Sequence, residues 1–134
     1  MISEVAMLNP IANITNKIIL ITGGAQGIGG ATAQLCAERG AEVIIADIKV
    51  QQGEAMAASI RENGGKAAFY PLDVRDQAAV QTLFDQVNEN YNRLDVLICA
   101  AGVLEGALLQ PDEFPVEIFD FVMDVNVKGM FLCV

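Results

Sequence analysis

The chain has 134 residues, 53% of them hydrophobic, with 17 acidic against 8 basic side chains and a net charge of −9. That length fits one domain, and the apolar fraction excludes disorder. An acidic balance without any basic cluster excludes a nucleic-acid groove or an anionic membrane surface as partner.

Residues 1–16 show no clear period, and Pro10 argues against a helix, so an N-terminal arm is expected before a domain over 17–134. Ile18-Ile19-Leu20-Ile21 predicts a buried strand ending in the glycine turn Gly23-Gly24. A helix is predicted from Gly27 to Arg39, with Ile28, Leu35 and Cys36 on one face and Gly40 closing it. Ile18 to Ala37 carries no charge, but its glycines and polar residues make it strand, turn and helix rather than a membrane span. Val43 to Ala46 predicts a second strand closed by Asp47, and a helix over about 51–63 stops at Asn63-Gly64-Gly65. Ala67 to Tyr70 predicts a weaker third strand. Asp76 then caps a helix in which Val80, Leu83, Phe84, Val87 and Tyr91 recur at helical spacing. Leu94 to Ile98 is the fourth strand; a loop over about 102–114 leads to a last helix with Pro115 at its first position.

Strands alternating with helix-length connections require a parallel sheet, and right-handed crossovers lay helices on both its faces. The expected architecture is therefore α/β: a Rossmann-type doubly wound parallel sheet, truncated after about four strands in the order 3-2-1-4.

Two absences narrow the chemistry. There is no histidine, which excludes Ser-His-Asp, Cys-His and histidine-ligated metal sites; no metal is expected. Cys36, Cys99 and Cys133 are odd in number and far apart, so they read as small buried hydrophobes in a reducing compartment. The first basic residue is Lys17, so no charged leader of a signal peptide is seen. A cytoplasmic location is expected.

Thr22 to Gly29 carries glycines at 23, 27 and 29 where strand one turns into helix one. Gly23 permits the tight turn, Gly27 lets a pyrophosphate approach the backbone, and Gly29 lets the helix pack against the sheet. The helix N-terminus would offer N–H groups to phosphates. A glycine-rich corner without ligand is the plainer alternative. Asp47, twenty residues after Gly27, stands where an acid accepts hydrogen bonds from the adenosine ribose hydroxyls, or else simply ends a strand. A carboxylate there would repel a 2′-phosphate, and no arginine adjoins the glycine turn, so NAD is preferred over NADP. Asp73-Val74, past strand three, could address an adenine edge or serve as a helix cap. Cys99-Ala100-Ala101-Gly102 admits a flat ring close to backbone, or equally a tight strand–helix contact.

Together these residues resemble the short-chain dehydrogenase/reductase family over nearly all of residues 17–134. Thr22 to Gly29 is similar to its TGxxxGxG motif, with Gly23, Gln26, Gly27, Ile28 and Gly29 implied in cofactor binding. Asp47 and Ile48 match its NAD-selecting position, and Asp73-Val74 its adenine contact. Cys99 to Gly102 resembles the NNAG segment with both asparagines replaced, leaving Ala101 and Gly102 as the implied contacts. Asp124 to Gly129 resembles the segment whose asparagine, here Asn126, supports a catalytic water relay. The family's catalytic tyrosine is followed four residues later by lysine, whereas Tyr70 is followed by Val74 and Tyr91 by Asp95. Of the family's catalytic residues only Asn126 is present.

The resemblance implies the N-terminal part of an oxidoreductase that moves hydride between NAD and an alcohol or ketone, commonly as a homo-oligomer. A non-catalytic dinucleotide-binding or interaction module is the alternative. A methyltransferase fits the glycine spacing and the Asn126 segment less well. With no fifth strand beside strand four, the chain alone is expected to be marginally stable and to self-associate.

Overall fold

The computed structural model describes residues 13–134; residues 1–12 of the expected arm lie outside the described residues. Four strands, β1 (Ile18–Thr22), β2 (Glu42–Asp47), β3 (Lys66–Pro71) and β4 (Val96–Cys99), form one parallel sheet in the order β3-β2-β1-β4. The register pairs Leu20 with Ile44 and Leu97, and Ile44 with Ala68. Helices α1 (Gly27–Glu38), α2 (Val50–Glu62) and α3 (Gln77–Tyr91) make the crossovers.

Side chains alternate across a strand, and here both faces are buried. Ile18, Leu20, Ile44 and Ala46 pack with Val80, Leu83 and Val87 of α3. Ile19, Ile21, Val43 and Ile45 pack with Ala33 and Ala37 of α1 and Ala57 and Ile60 of α2. This double burial is why β1 and β2 read as unbroken aliphatic runs.

α1 corrects the expected helix face. Its buried residues are Gly29, Gly30, Ala33 and Ala37, while Ile28 is 85% exposed and Leu35 also faces out. A Cβ on Gly30 would lie 2.9 Å from the Met56 methyl carbon, and one on Gly29 would collide with the Gly23 carbonyl. The helix lies too close to its neighbours for larger side chains. Gly40 ends it as expected, donating its N–H to the Ala37 carbonyl at 2.9 Å. Asp76 caps α3 by accepting the Ala79 N–H at 3.1 Å, and Asn92, left-handed at φ 55°, terminates it.

The last helix is not uniform. Pro115 is its N-cap rather than its first residue, so the helix opens as α4 (Val116–Met123). A wide π turn over Asp124–Lys128 follows, then α5 (Gly129–Cys133). β4 pairs with β1 alone among the described residues, leaving an open edge on which Val96 is 36% exposed. Among the described residues no helix is long and apolar enough to cross a membrane.

Candidate functional site

The carboxyl ends of all four strands open into one cleft of about 440 Å³. Parallel strands deliver their C-terminal loops to the same edge, and the sheet order reverses direction beside β1, where a crevice is expected. The cleft brings together Gly23, Gln26, Gly27, Ile28 and Gly29 from the β1–α1 turn, and Asp47 and Ile48 from the end of β2. Asp73 and Val74 after β3, and Ala101 and Gly102 after β4, complete that set.

The β1–α1 turn is built for close approach. Gly23 adopts φ 72°, and a Cβ there would lie 2.5 Å from the Ala101 nitrogen, so the turn presses on the backbone leaving β4. Gly27 is also left-handed at φ 58°, but a Cβ there would meet nothing within 4 Å. It borders open space. Gln26 makes no side-chain cap, and the first turn of α1 carries no acid. The helix therefore presents its N–H groups and the positive end of its dipole to the cleft, an arrangement suited to an anionic group. A pyrophosphate fits this donor set and this space.

Asp47 is more than a strand terminus. Its Oδ2 accepts the Ala25 N–H at 3.1 Å and its Oδ1 the Lys49 N–H at 2.9 Å. The end of β2 is thereby tied to the glycine turn, and the carboxylate keeps acceptor capacity beyond these two bonds. Ile48, next to it, is 61% exposed at the rim.

Asp73 is held by Arg75. The backbone N–H and Nε of Arg75 each donate to Oδ1 at 3.0 Å, and Nη2 donates to Oδ2 at 2.7 Å. The guanidinium hydrogen bonds hold the Asp73 carboxyl below its usual range, and the Arg75 pKa rises in turn. Val74 is buried, and a Cβ on Gly129 would lie 2.5 Å from its Cγ2. Arg75 and Phe121 also line the cleft, although sequence reasoning assigned neither to it. An arginine two residues after a strand-ending acid was the available signal for the first; Phe121 offered none.

Asn126 is not a lining residue but is bonded to one. Its Oδ1 accepts the Val103 N–H at 2.8 Å, and its Nδ2 donates to the Val103 carbonyl at 2.9 Å. The π turn carries this side chain inward, and such turns recur at functional sites. At the end of β4, burial pushes the Cys99 thiol up, opposed by a hydrogen bond with Thr22. Cys133, fully buried nearby, is pushed up to about 11. Both remain thiols near neutrality. Among the described residues no cluster of three potential metal ligands exists.

A four-stranded parallel sheet in the order β3-β2-β1-β4, flanked by helices and with its strand ends opening on one cleft, defines a Rossmann-type doubly wound α/β fold, truncated after four strands. The sequence profile of the family described as short chain dehydrogenase matches residues 17–134, and the chain belongs to that family. It is 42% identical over 124 residues to an uncharacterized oxidoreductase, YxbG, of Bacillus subtilis (strain 168), covering 92% of this chain and 45% of that protein. It is 41% identical to short-chain dehydrogenase reductase 5 of Arabidopsis thaliana, covering 87% of this chain and 44% of that one. The crystal structure of a short-chain type dehydrogenase/reductase from Mycobacterium marinum superposes with a TM-score of 0.85 at 32% identity, covering 90% of this chain and 48% of that chain. The chain thus spans less than half the length of these three relatives.

Proposed function

We propose that this chain is the NAD-binding part of an oxidoreductase that transfers hydride between the nicotinamide and an alcohol or ketone. The observation that carries the reading is Asp47, whose carboxylate joins the glycine turn at the rim of the cleft. In this reading the N–H groups at the start of α1, around Gln26, Gly27, Ile28 and Gly29, hold the pyrophosphate. Asp47 accepts from the adenosine ribose hydroxyls, with Ile48 against the ribose and Gly23 allowing the approach. Asp73 accepts from the adenine amino group, and Val74 supplies a backbone contact. Ala101 and Gly102 leave room beside β4, and Asn126 fixes their continuation at Val103. The bound cofactor supplies or accepts the hydride.

A 2′-phosphate would meet the Asp47 carboxylate, so NAD is favoured over NADP. Lys49 and Arg75 also border the cleft, but the Arg75 charge is paired with Asp73. Catalysis needs a group that protonates the developing alkoxide. Neither tyrosine lines the cleft: Tyr70 Oη accepts from Asn90 at 3.1 Å, and burial pushes the Tyr91 phenol up. That observation favours a second reading for residues 1–134 taken alone, a module that holds dinucleotide without turning over substrate. An acidic chain with three unpaired cysteines suits a reducing cytoplasm. The exposed stripe Val116, Phe119, Met123, Val127 and Met130 suits burial against a second copy.

Calorimetric titration with NADH and NADPH tests the cofactor. NADH is expected to saturate, NADPH to bind about tenfold more weakly, and Asp47→Ala to erase that preference. No saturable binding of either dinucleotide would sink the proposal.

A further inference from the structure

We propose that Arg75 is the positioning residue of the adenine end of the cleft, gripping Asp73 with one edge of its guanidinium and resting on Phe121 with its face. The inference rests on the dinucleotide reading above. Arg75 joins Asp73, after β3, to Phe121 of α4, which lies 46 positions further along the chain than Arg75 itself. Its Nε and Nη2 make paired bonds to the two Asp73 oxygens, at 3.0 and 2.7 Å, in the fork geometry that only arginine offers. Its guanidinium carbon lies 5.2 Å from the centroid of the Phe121 ring on α4, within range of a cation–π contact. All three side chains line the same cleft.

The physical consequence concerns order rather than attraction. A lone carboxylate two residues past a strand end can rotate about χ1 and χ2, and each rotamer presents a different oxygen. Arg75 removes that freedom by occupying both oxygens from one side. The acceptor capacity that remains has a fixed direction. The seat on Phe121 in turn prevents the arginine from swinging to solvent with its aspartate. Base recognition at Asp73 is therefore set by a residue that need not touch the base. The lowered pKa of Asp73 agrees with the grip, since the guanidinium hydrogen bonds favour the ionised, acceptor-only carboxylate.

The discriminating probe is the base itself. Adenine carries a 6-amino donor, whereas the hypoxanthine analogue of NADH carries a 6-keto acceptor in its place. In the unsubstituted protein a fixed carboxylate acceptor is expected to favour NADH over that analogue by about tenfold, one charge-assisted hydrogen bond. Arg75→Gln, which keeps the stem but loses the fork, is expected to bring this ratio to about 1–2. Arg75→Lys keeps the charge without the paired geometry and is expected to lower the ratio as well. Phe121→Leu, which retains an apolar contact, is expected to give an intermediate ratio. A purely structural role would lower the melting temperature and scale both affinities alike, leaving the ratio unchanged. An unchanged ratio in Arg75→Gln, with NADH still bound, would overturn the proposal while the cofactor reading stood. Absence of NADH binding in the unsubstituted protein would overturn both.

Discussion

Gly27 and Gly29 stand two residues apart and are glycines for different reasons. Gly27 is left-handed beside open space, so alanine there would meet backbone strain of about 1 kcal/mol and no neighbour. Gly29 has no such strain, but its Cβ would strike the Gly23 carbonyl, and backbone cannot rotate away as a side chain can. Gly29→Ala is expected to destabilise by about 2–3 kcal/mol, an overpacking cost, and Gly27→Ala by about 1. Equal midpoints for the two variants in urea unfolding would refute the distinction. The strand-end carboxylates divide their work in the same way. Asp47 accepts two backbone N–H groups and ties β2 to the glycine turn, whereas Asp73 accepts one backbone N–H and, in addition, a guanidinium. Both acids accept an N–H from two residues on; the roles part because Asp47 also reaches Ala25 of the glycine turn, whereas the residue two after Asp73 is an arginine whose guanidinium turns back on it.

At the scale of elements, α2 shows how a helix can be shaped by the strand beneath it. Gly53 sits in its interior, where glycine costs about 1 kcal/mol against alanine in propensity. The cause is Phe69 of β3, whose ring fills the space a Gly53 side chain would take. Gly53→Leu is expected to cost about 1–3 kcal/mol despite the gain in propensity. In a Phe69→Ala background the same change should be neutral or stabilising, since the leucine then fills the vacated volume. Identical costs in both backgrounds, measured by chemical denaturation, would exclude the ring as the cause. The strands and α3 were legible in the sequence because β1 and β2 are unbroken aliphatic runs and Asp76 precedes a regular apolar spacing. The face of α1 was not, because its buried stripe consists of glycine and alanine, which a hydrophobic pattern barely registers. The glycine turn and the strand-end acids could be read locally. The Arg75–Phe121 contact and the π turn could not, since the first joins distant positions and the second is a backbone adjustment.

For the molecule as a whole, two acids brace opposite edges of the sheet. Asp95 accepts the Ile18 N–H at 2.7 Å and pairs with the Arg93 guanidinium, its Oδ2 lying 3.1 Å from Nε, at the amino ends of β1 and β4, while Asp73 grips Arg75 at the carboxyl end of β3. The Ile18 N–H first, with Arg93 and Lys17, lowers the Asp95 pKa, and the Arg75 hydrogen bond lowers that of Asp73. A depressed native pKa adds stability above the unfolded value of 3.8, and that stability is lost as pH falls through the native value. Relief of the −9 net charge acts the other way on mild acidification. The melting temperature is therefore expected to hold or rise slightly down to about pH 5 and to fall below 3.8. A melting temperature still climbing at pH 3 would contradict this, and Asp95→Asn should flatten the acid limb.

The bond pair between Asn126 and Val103 has a meaning beyond fixing a loop. One carboxamide answers both the N–H and the C=O of a single residue just past β4, as a neighbouring strand would. Asn126 is thus a surrogate peptide group: a helix lends a side chain to pair both backbone groups of one residue, four positions past the end of β4, to which no strand pairs among the described residues. Aspartate offers only acceptors, and glutamine carries its amide one methylene too far. The identity of position 126 follows from the need to imitate backbone.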